Sequence, residues 1–319
     1  MSHRDKIVTI FGGAGFIGSH IAQDLAREGF RLKIITRAPE SAYELKTYGS
    51  VGQIVATSCD FSDEKSIQQT VKGSYAVINL IGILYEKRKN KFKKVHTEIP
   101  AAIAKACQKE NVKKFIHISA LGVDKGGSKY ARSKREGEAA VKEAYKNVTI
   151  LRPSVVFGPG DSFFNMFAKL AIFLPVLPLI GGGKTKFQPV YVGDIAEAIR
   201  NIVVDYGDEY QGRTYQLGGP EVVSFKEIYQ RLFKVINREP ALISLPWWLA
   251  SLQGALMSLL PKPPLTADQV RSLKVDNVVA PEALTLTDLG VNPTPMSGVL
   301  PQYLACYKKG GRFGDKKAA

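Results

Sequence analysis

The chain has 319 residues, 45% hydrophobic and 23% charged, a composition that excludes extensive disorder and is long enough to bury a full α/β sheet with an appended lobe. Lys and Arg outnumber Asp and Glu by 44 to 29, so the net charge of +15 favours an anionic partner: nucleotide, acidic protein, anionic lipid or nucleic acid. Cys59, Cys107 and Cys306 have neither paired nor metal-ligand spacing, which argues against a disulfide framework or a metal site and for a reducing compartment.

From Met1 a short polar stretch runs straight into the apolar residues 7–11, leaving no room for a signal or long transit peptide. Over the first 150 residues β-branched runs alternate with amphipathic stretches, the pattern of βαβ units around a parallel sheet. Strands are predicted at 6–11, 31–36, 53–56, 76–81, 114–119 and 148–151. Helices are predicted at 17–28 with Gly29 as a stop, 63–71 with Ser62 as cap and Gly73 as stop, 92–109 and 130–145. Residues 1–151 thus read as a doubly wound nucleotide-binding sheet. Beyond them Pro153, Gly158, Pro159, Gly160, Pro175, Pro178 and three glycines at 181–183 break any long element, which predicts a smaller lobe over 152–307, interleaved with the core. Residues 241–261 are the most apolar stretch, but Pro246 and Gln253 interrupt it; an amphipathic or buried helix is expected, able to touch a membrane surface or partner through Trp247 and Trp248. Residues 308–319 read as a basic, mobile tail.

Phe11-Gly12-Gly13-Ala14-Gly15-Phe16-Ile17-Gly18 ends the first strand and opens the first helix. Gly12 permits the tight turn, Gly15 a close backbone approach to a pyrophosphate, and Gly18 close packing of helix on strand, while the amides around Phe16 and Ile17 face the anion. At the end of the second strand Arg37 stands where an NAD site would carry a carboxylate, so NADP(H) is expected over NAD(H). Asp60 is placed either to meet the adenine edge or to cap the next helix, and Asn79, Leu80 and Gly82 to pass under the ribose and nicotinamide.

Tyr130 and Lys134 are four apart on one helix face, where the ammonium is expected to lower the phenol's pKa and the pair to move a proton beside the nicotinamide. Pro153 should close that end. The run Lys87-Arg88-Lys89-Asn90-Lys91-Phe92-Lys93-Lys94 raises nucleic-acid binding, but no recognised nucleic-acid module accompanies it and none is expected.

These residues, with Leu151-Arg152-Pro153, Gly158-Pro159-Gly160-Asp161, Pro189-Val190-Tyr191-Val192-Gly193-Asp194 and Leu217-Gly218-Gly219-Pro220, resemble the extended or atypical short-chain dehydrogenase/reductase superfamily, which implies a Rossmann-like fold. That resemblance also implies a catalytic serine or threonine, and only Ser119 stands at the end of the fifth strand, early in a short loop. A misplaced donor would cost several orders of magnitude in rate. Lys186-Phe187-Gln188-Pro189, Leu245-Pro246-Trp247-Trp248, Leu265-Thr266-Ala267-Asp268-Gln269-Val270 with Asp276-Asn277, and Leu289-Gly290-Val291-Asn292-Pro293 resemble most the family of NADPH-binding accessory subunits of respiratory complex I and their alphaproteobacterial relatives. This implies a largely non-catalytic subunit of NADH:ubiquinone oxidoreductase near the quinone site, peripheral to the bacterial inner membrane on the cytoplasmic side, or on the matrix side if organellar. An active NADP(H)-dependent reductase, epimerase or dehydratase stays open beside it.

Overall fold

The computed structural model describes residues 3, 5–87, 90–261 and 263–311; Arg88 and Lys89 of the basic run and the end of the expected tail lie outside them. The chain opens with β1 (Ile7–Phe11), α1 (Phe16–Arg27), β2 (Arg31–Ile35), β3 (Ile54–Thr57), α2 (Glu64–Val71) and β4 (Ser74–Asn79). A π-helical segment, Lys93–Glu98, then leads into α3 (Ile99–Lys109), followed by β5 (Lys114–Ile118), α4 (Lys129–Ala144) and β6 (Thr149–Pro153). Asp63, not Ser62, caps α2, accepting from the amides of Lys65 and Ser66. Its carboxylate spans two of the free N–H groups that open a helix.

Next come β7 (Val156–Phe157), α5 (Phe163–Phe173), β8 (Val176–Ile180), β9 (Lys186–Phe187), β10 (Val190–Tyr191), α6 (Val192–Val204), β11 (Thr214–Leu217), β12 (Val223–Ser224), α7 (Phe225–Ile236), β13 (Ala241–Leu245), α8 (Trp247–Met257), α9 (Ala267–Ser272) and α10 (Met296–Leu304). The main sheet has seven strands, ordered β11-β6-β5-β4-β1-β2-β3, every pair parallel. The order reverses between β1 and β4, and the carboxyl ends of strands at such a switch point form a crevice for ligands. Because strands buried on both faces need apolar residues throughout, Val8, Ile10, Ile34, Ile78, Ile116 and Leu151 sit in one core beneath α1 and α6. Phe11, Ile35, Val77, Phe115 and Ile150 face the other core, under α2, α3 and α4. A third core gathers α5, α7 and α10 around Phe164, Tyr229 and Leu300.

Residues 241–261 do not form one helix. Residues 241–245 pair in parallel with β8, and Pro246 precedes the first turn of α8, where its missing N–H costs nothing. Among the described residues no helix is long and apolar enough to cross a membrane. Instead Trp248, Leu252, Leu256, Leu259 and Leu260 are exposed, while Trp247 packs beside Ile180, Ala250 and Val270.

Candidate functional site

At the switch point Gly12 takes φ +77°, a left-handed value that favours glycine, while its N–H still donates to the Ile35 carbonyl at 2.9 Å, the last bond of the β1–β2 ladder before the turn. A Cβ on Gly18 would stand 2.6 Å from the Gly13 backbone, so α1 can approach the turn this closely only without one. Gly15 caps α1 without a side chain, leaving first-turn amides for an anion. This turn opens into a cavity of about 630 Å³ lined by Gly12, Gly15, Arg37, Asp60, Leu80 and Gly82. Arg37 is exposed. Asp60 Oδ1 accepts from the Ser62 N–H and hydroxyl, which hold its carboxyl below the usual range; it does not cap α2.

A second cavity of about 490 Å³ shares Leu80, Gly82 and Ile83 with the first. Phe16, Ile17, Ser119, Tyr130, Lys134 and Pro153 line it. The two adjoin at these residues along the carboxyl edge of the sheet. Asn79 and Gly18 line neither cavity. Asn79 is fully buried, accepts from the Ile81 N–H at 3.1 Å and has its Nδ2 3.1 Å from His117 Nδ1, so it shapes the bend from below.

Tyr130 and Lys134 share one helical face as expected, but the phenol is pushed up to about 12, not lowered. Burial outweighs any nearby cation. Its ring packs edge-on against Phe92 and His96, with centroids 5.9 and 5.4 Å away. Lys134 is 4% exposed, donates to the Ile118 carbonyl at 3.2 Å, and is pushed down to about 8 by burial, with Glu138 acting the other way. Ser119 does reach this cavity's wall, yet its Oγ is sealed from solvent and has no partner.

Several residues that shape the site carry no local sequence signal. The π-helical segment turns His96 inward: Nε2 accepts from the Ile83 N–H at 3.0 Å, so Nδ1 carries the proton and donates to Ser133 Oγ at 2.8 Å. Burial, with Lys134 nearby, pushes His96 down to about 3, keeping it neutral for that bond. Asp268 of α9 accepts from the amides of Lys129 and Tyr130 at 2.8 and 3.0 Å, fastening the start of α4 from 138 residues away. Asp276 and Asn277, which only the family resemblance marks in the sequence, belong to the cavity wall.

Adjoining cavities at the switch point of a parallel sheet, one at a glycine turn and helix N-terminus beside Arg37 and the other at a tyrosine and a buried lysine, define a protein of the Rossmann-type dinucleotide-binding class. The chain belongs to the NAD dependent epimerase/dehydratase family, matched over residues 8–218, and within it to the family of two mitochondrial relatives. Both are named NADH dehydrogenase (ubiquinone) 1 alpha subcomplex subunit 9. The Arabidopsis thaliana protein is 34% identical, aligned over 97% of this chain and 80% of its own. The Mus musculus protein is 36% identical over 91% and 77%. A structure of an NADPH-dependent quinone oxidoreductase from Escherichia coli, complexed with NADPH, superposes with a TM-score of 0.73, covering 93% of this chain and 98% of that one; at 18% identity it shows the shared fold.

Proposed function

We propose that this chain is an NADP(H)-binding, largely non-catalytic accessory subunit of a respiratory NADH:ubiquinone oxidoreductase, in which the nucleotide stabilises the folded subunit at the complex's peripheral arm. The observation that carries this reading is the pair of cavities adjoining at Leu80, Gly82 and Ile83, in a chain whose relatives, aligned over 80% and 77% of their own length, are named as subunits of that complex. The residues fit the cofactor. The glycine turn, with no room for a Cβ at Gly18, would receive the pyrophosphate on the first-turn amides around Phe16 and Ile17. Arg37 and Lys94, both on the wall of the larger cavity, would hold a 2′-phosphate, and Asp60 would meet the adenine edge. Leu80, Gly82, Tyr130, Lys134 and Pro153 would surround the ribose and nicotinamide, with Asn79 acting at one remove.

The sealed hydroxyl of Ser119 supports a non-catalytic role, since a substrate carbonyl would need that donor presented. Exposed Trp248, Leu252, Leu256, Leu259 and Leu260 supply an apolar face for peripheral contact with the membrane. A second reading, an active reductase or epimerase, is favoured by the retained Tyr130 and Lys134.

The test is a gentle detergent pull-down of the tagged protein from native membranes, with partners and bound nucleotide identified by mass spectrometry. Complex I subunits together with NADPH are expected; a soluble protein free of both refutes the proposal and promotes the enzyme. In parallel, Arg37→Ala should weaken NADPH roughly ten- to hundredfold, the worth of a charge-assisted phosphate contact, and leave NADH almost unchanged.

A further inference from the structure

The 490 Å³ cavity around Tyr130 is poor in available charge. Of its lining residues only Lys134 is basic and only Asp276 acidic: Lys134 Nζ donates to Ile118 O and keeps its other donors for the ribose end of the cofactor, and Asp276 Oδ1 accepts from the Lys186 N–H at 2.8 Å. Apart from the sealed, unpartnered Ser119 hydroxyl, several of its polar side chains are already hydrogen-bonded within the protein. Ser154 Oγ donates to Asn277 Oδ1 at 2.6 Å, Asn277 Nδ2 donates to Leu121 O at 3.0 Å, and Ser128 Oγ accepts from the Ala131 N–H at 3.1 Å. What remains toward a ligand is apolar wall from Val123, Val155, Phe163, Phe187 and Leu273. Among the described residues the Tyr130 hydroxyl has no hydrogen-bond partner, and Ser162 sits exposed at the rim.

A diphosphate brought here would lose hydration and meet one ammonium, Lys134, which the proposed ribose contact would share, so its remaining charge would stay unpaired at a cost of several kcal/mol per charge. A hydrocarbon frame would lose nothing, and one oxygen on it would give the Tyr130 hydroxyl its missing partner. We infer that this cavity takes a neutral, mostly apolar molecule bearing a single carbonyl or hydroxyl oxygen, and does not take a nucleoside diphosphate sugar. The inference deepens the proposed function, because the nicotinamide end of the cofactor would share the cavity.

The experiment titrates methyl nonyl ketone, and separately UDP-glucose, into the full chain loaded with NADP⁺, following heat and melting temperature. Saturable ketone binding without UDP-glucose binding is expected. Val275→Arg, which sets a cation on a partly exposed stretch of the same wall, should weaken the ketone about tenfold or more, while Val275→Leu should not. UDP-glucose binding that excludes the ketone overturns the inference, as does binding of neither by the loaded protein. If NADP⁺ itself fails to bind, the cofactor reading falls. The ketone is then titrated into the nucleotide-free chain, where binding sustains the apolar site and its absence overturns it.

Discussion

Replacing Lys134 by Met is expected to make the nucleotide-free protein more stable at neutral pH. The ammonium is 4% exposed, makes one hydrogen bond, to Ile118 O, and has its pKa drawn from 10.5 to about 8 by burial. A displacement of that size corresponds to roughly 3 kcal/mol in favour of the unfolded chain wherever the group is charged in both states, that is below about pH 8. Losing the hydrogen bond gives back about 1 kcal/mol, and methionine fills nearly the same volume, so a net gain of roughly 1–2 kcal/mol remains. Since the folded pKa lies below the unfolded one, the unfolded chain binds more protons between about pH 8 and 10.5; the unmodified protein recovers stability as pH rises through that window, and the variant's advantage fades. Urea unfolding of both proteins at pH 7 and pH 10, without nucleotide, measures the gap. Saturating NADPH should reverse the order, because the ligand stabilises whichever protein binds it more tightly. A variant less stable than its parent at pH 7 without nucleotide, or a gap that stays constant to pH 10, would refute the reasoning.

Asp268→Ala removes the acceptor for two amides at the start of α4 and should cost about 1–2 kcal/mol, a fall of a few degrees in melting temperature. Hydrogen exchange at residues 129 and 130 should accelerate; unchanged protection there would mean that the clamp does not hold in solution. Gly18→Ala places a methyl group against the Gly13 backbone and should cost roughly 1–3 kcal/mol and most of the nucleotide affinity, measured by NADPH fluorescence titration. Gly127→Ala, where a Cβ would meet nothing within 4 Å, is the matched control and should be nearly silent.

What the sequence made legible is what local chemistry dictates. The first six strands stand out because a parallel sheet covered on both faces needs continuous β-branched runs, and the glycine turn because only glycine tolerates the left-handed Gly12 and the Gly13–Gly18 contact. Distant contacts were hidden. The pairing of residues 241–245 with β8 has no signature in an apolar run, so a strand and a helix read as one segment. The partner of Asn79, His117, lies on another strand, a pairing that no local pattern marks. The spacing of Tyr130 and Lys134 says nothing of Phe92, at the start of the π-helical turn, or of His96 within it, and these rings decide the phenol's surroundings. Asp268 and residues 272–277 complete the site only because the chain returns to it late.

The short α9 segment faces two ways. Asp268 grips the helix that carries Tyr130, and Leu273 and Val275 border the cavity, while Gly254 of α8 lies directly on the backbone of Thr266 and Ala267. A body seated on the exposed side of α8 and a molecule seated beside Tyr130 therefore lean on the same few residues. Conservation of free energy makes their influence mutual: the factor by which a docked partner alters the nucleotide's dissociation constant is the factor by which the nucleotide alters the partner's. Where docking on this face alters the nucleotide's affinity, the assembly would carry a readout of the cell's nicotinamide pool in its own cohesion, with no chemical step required.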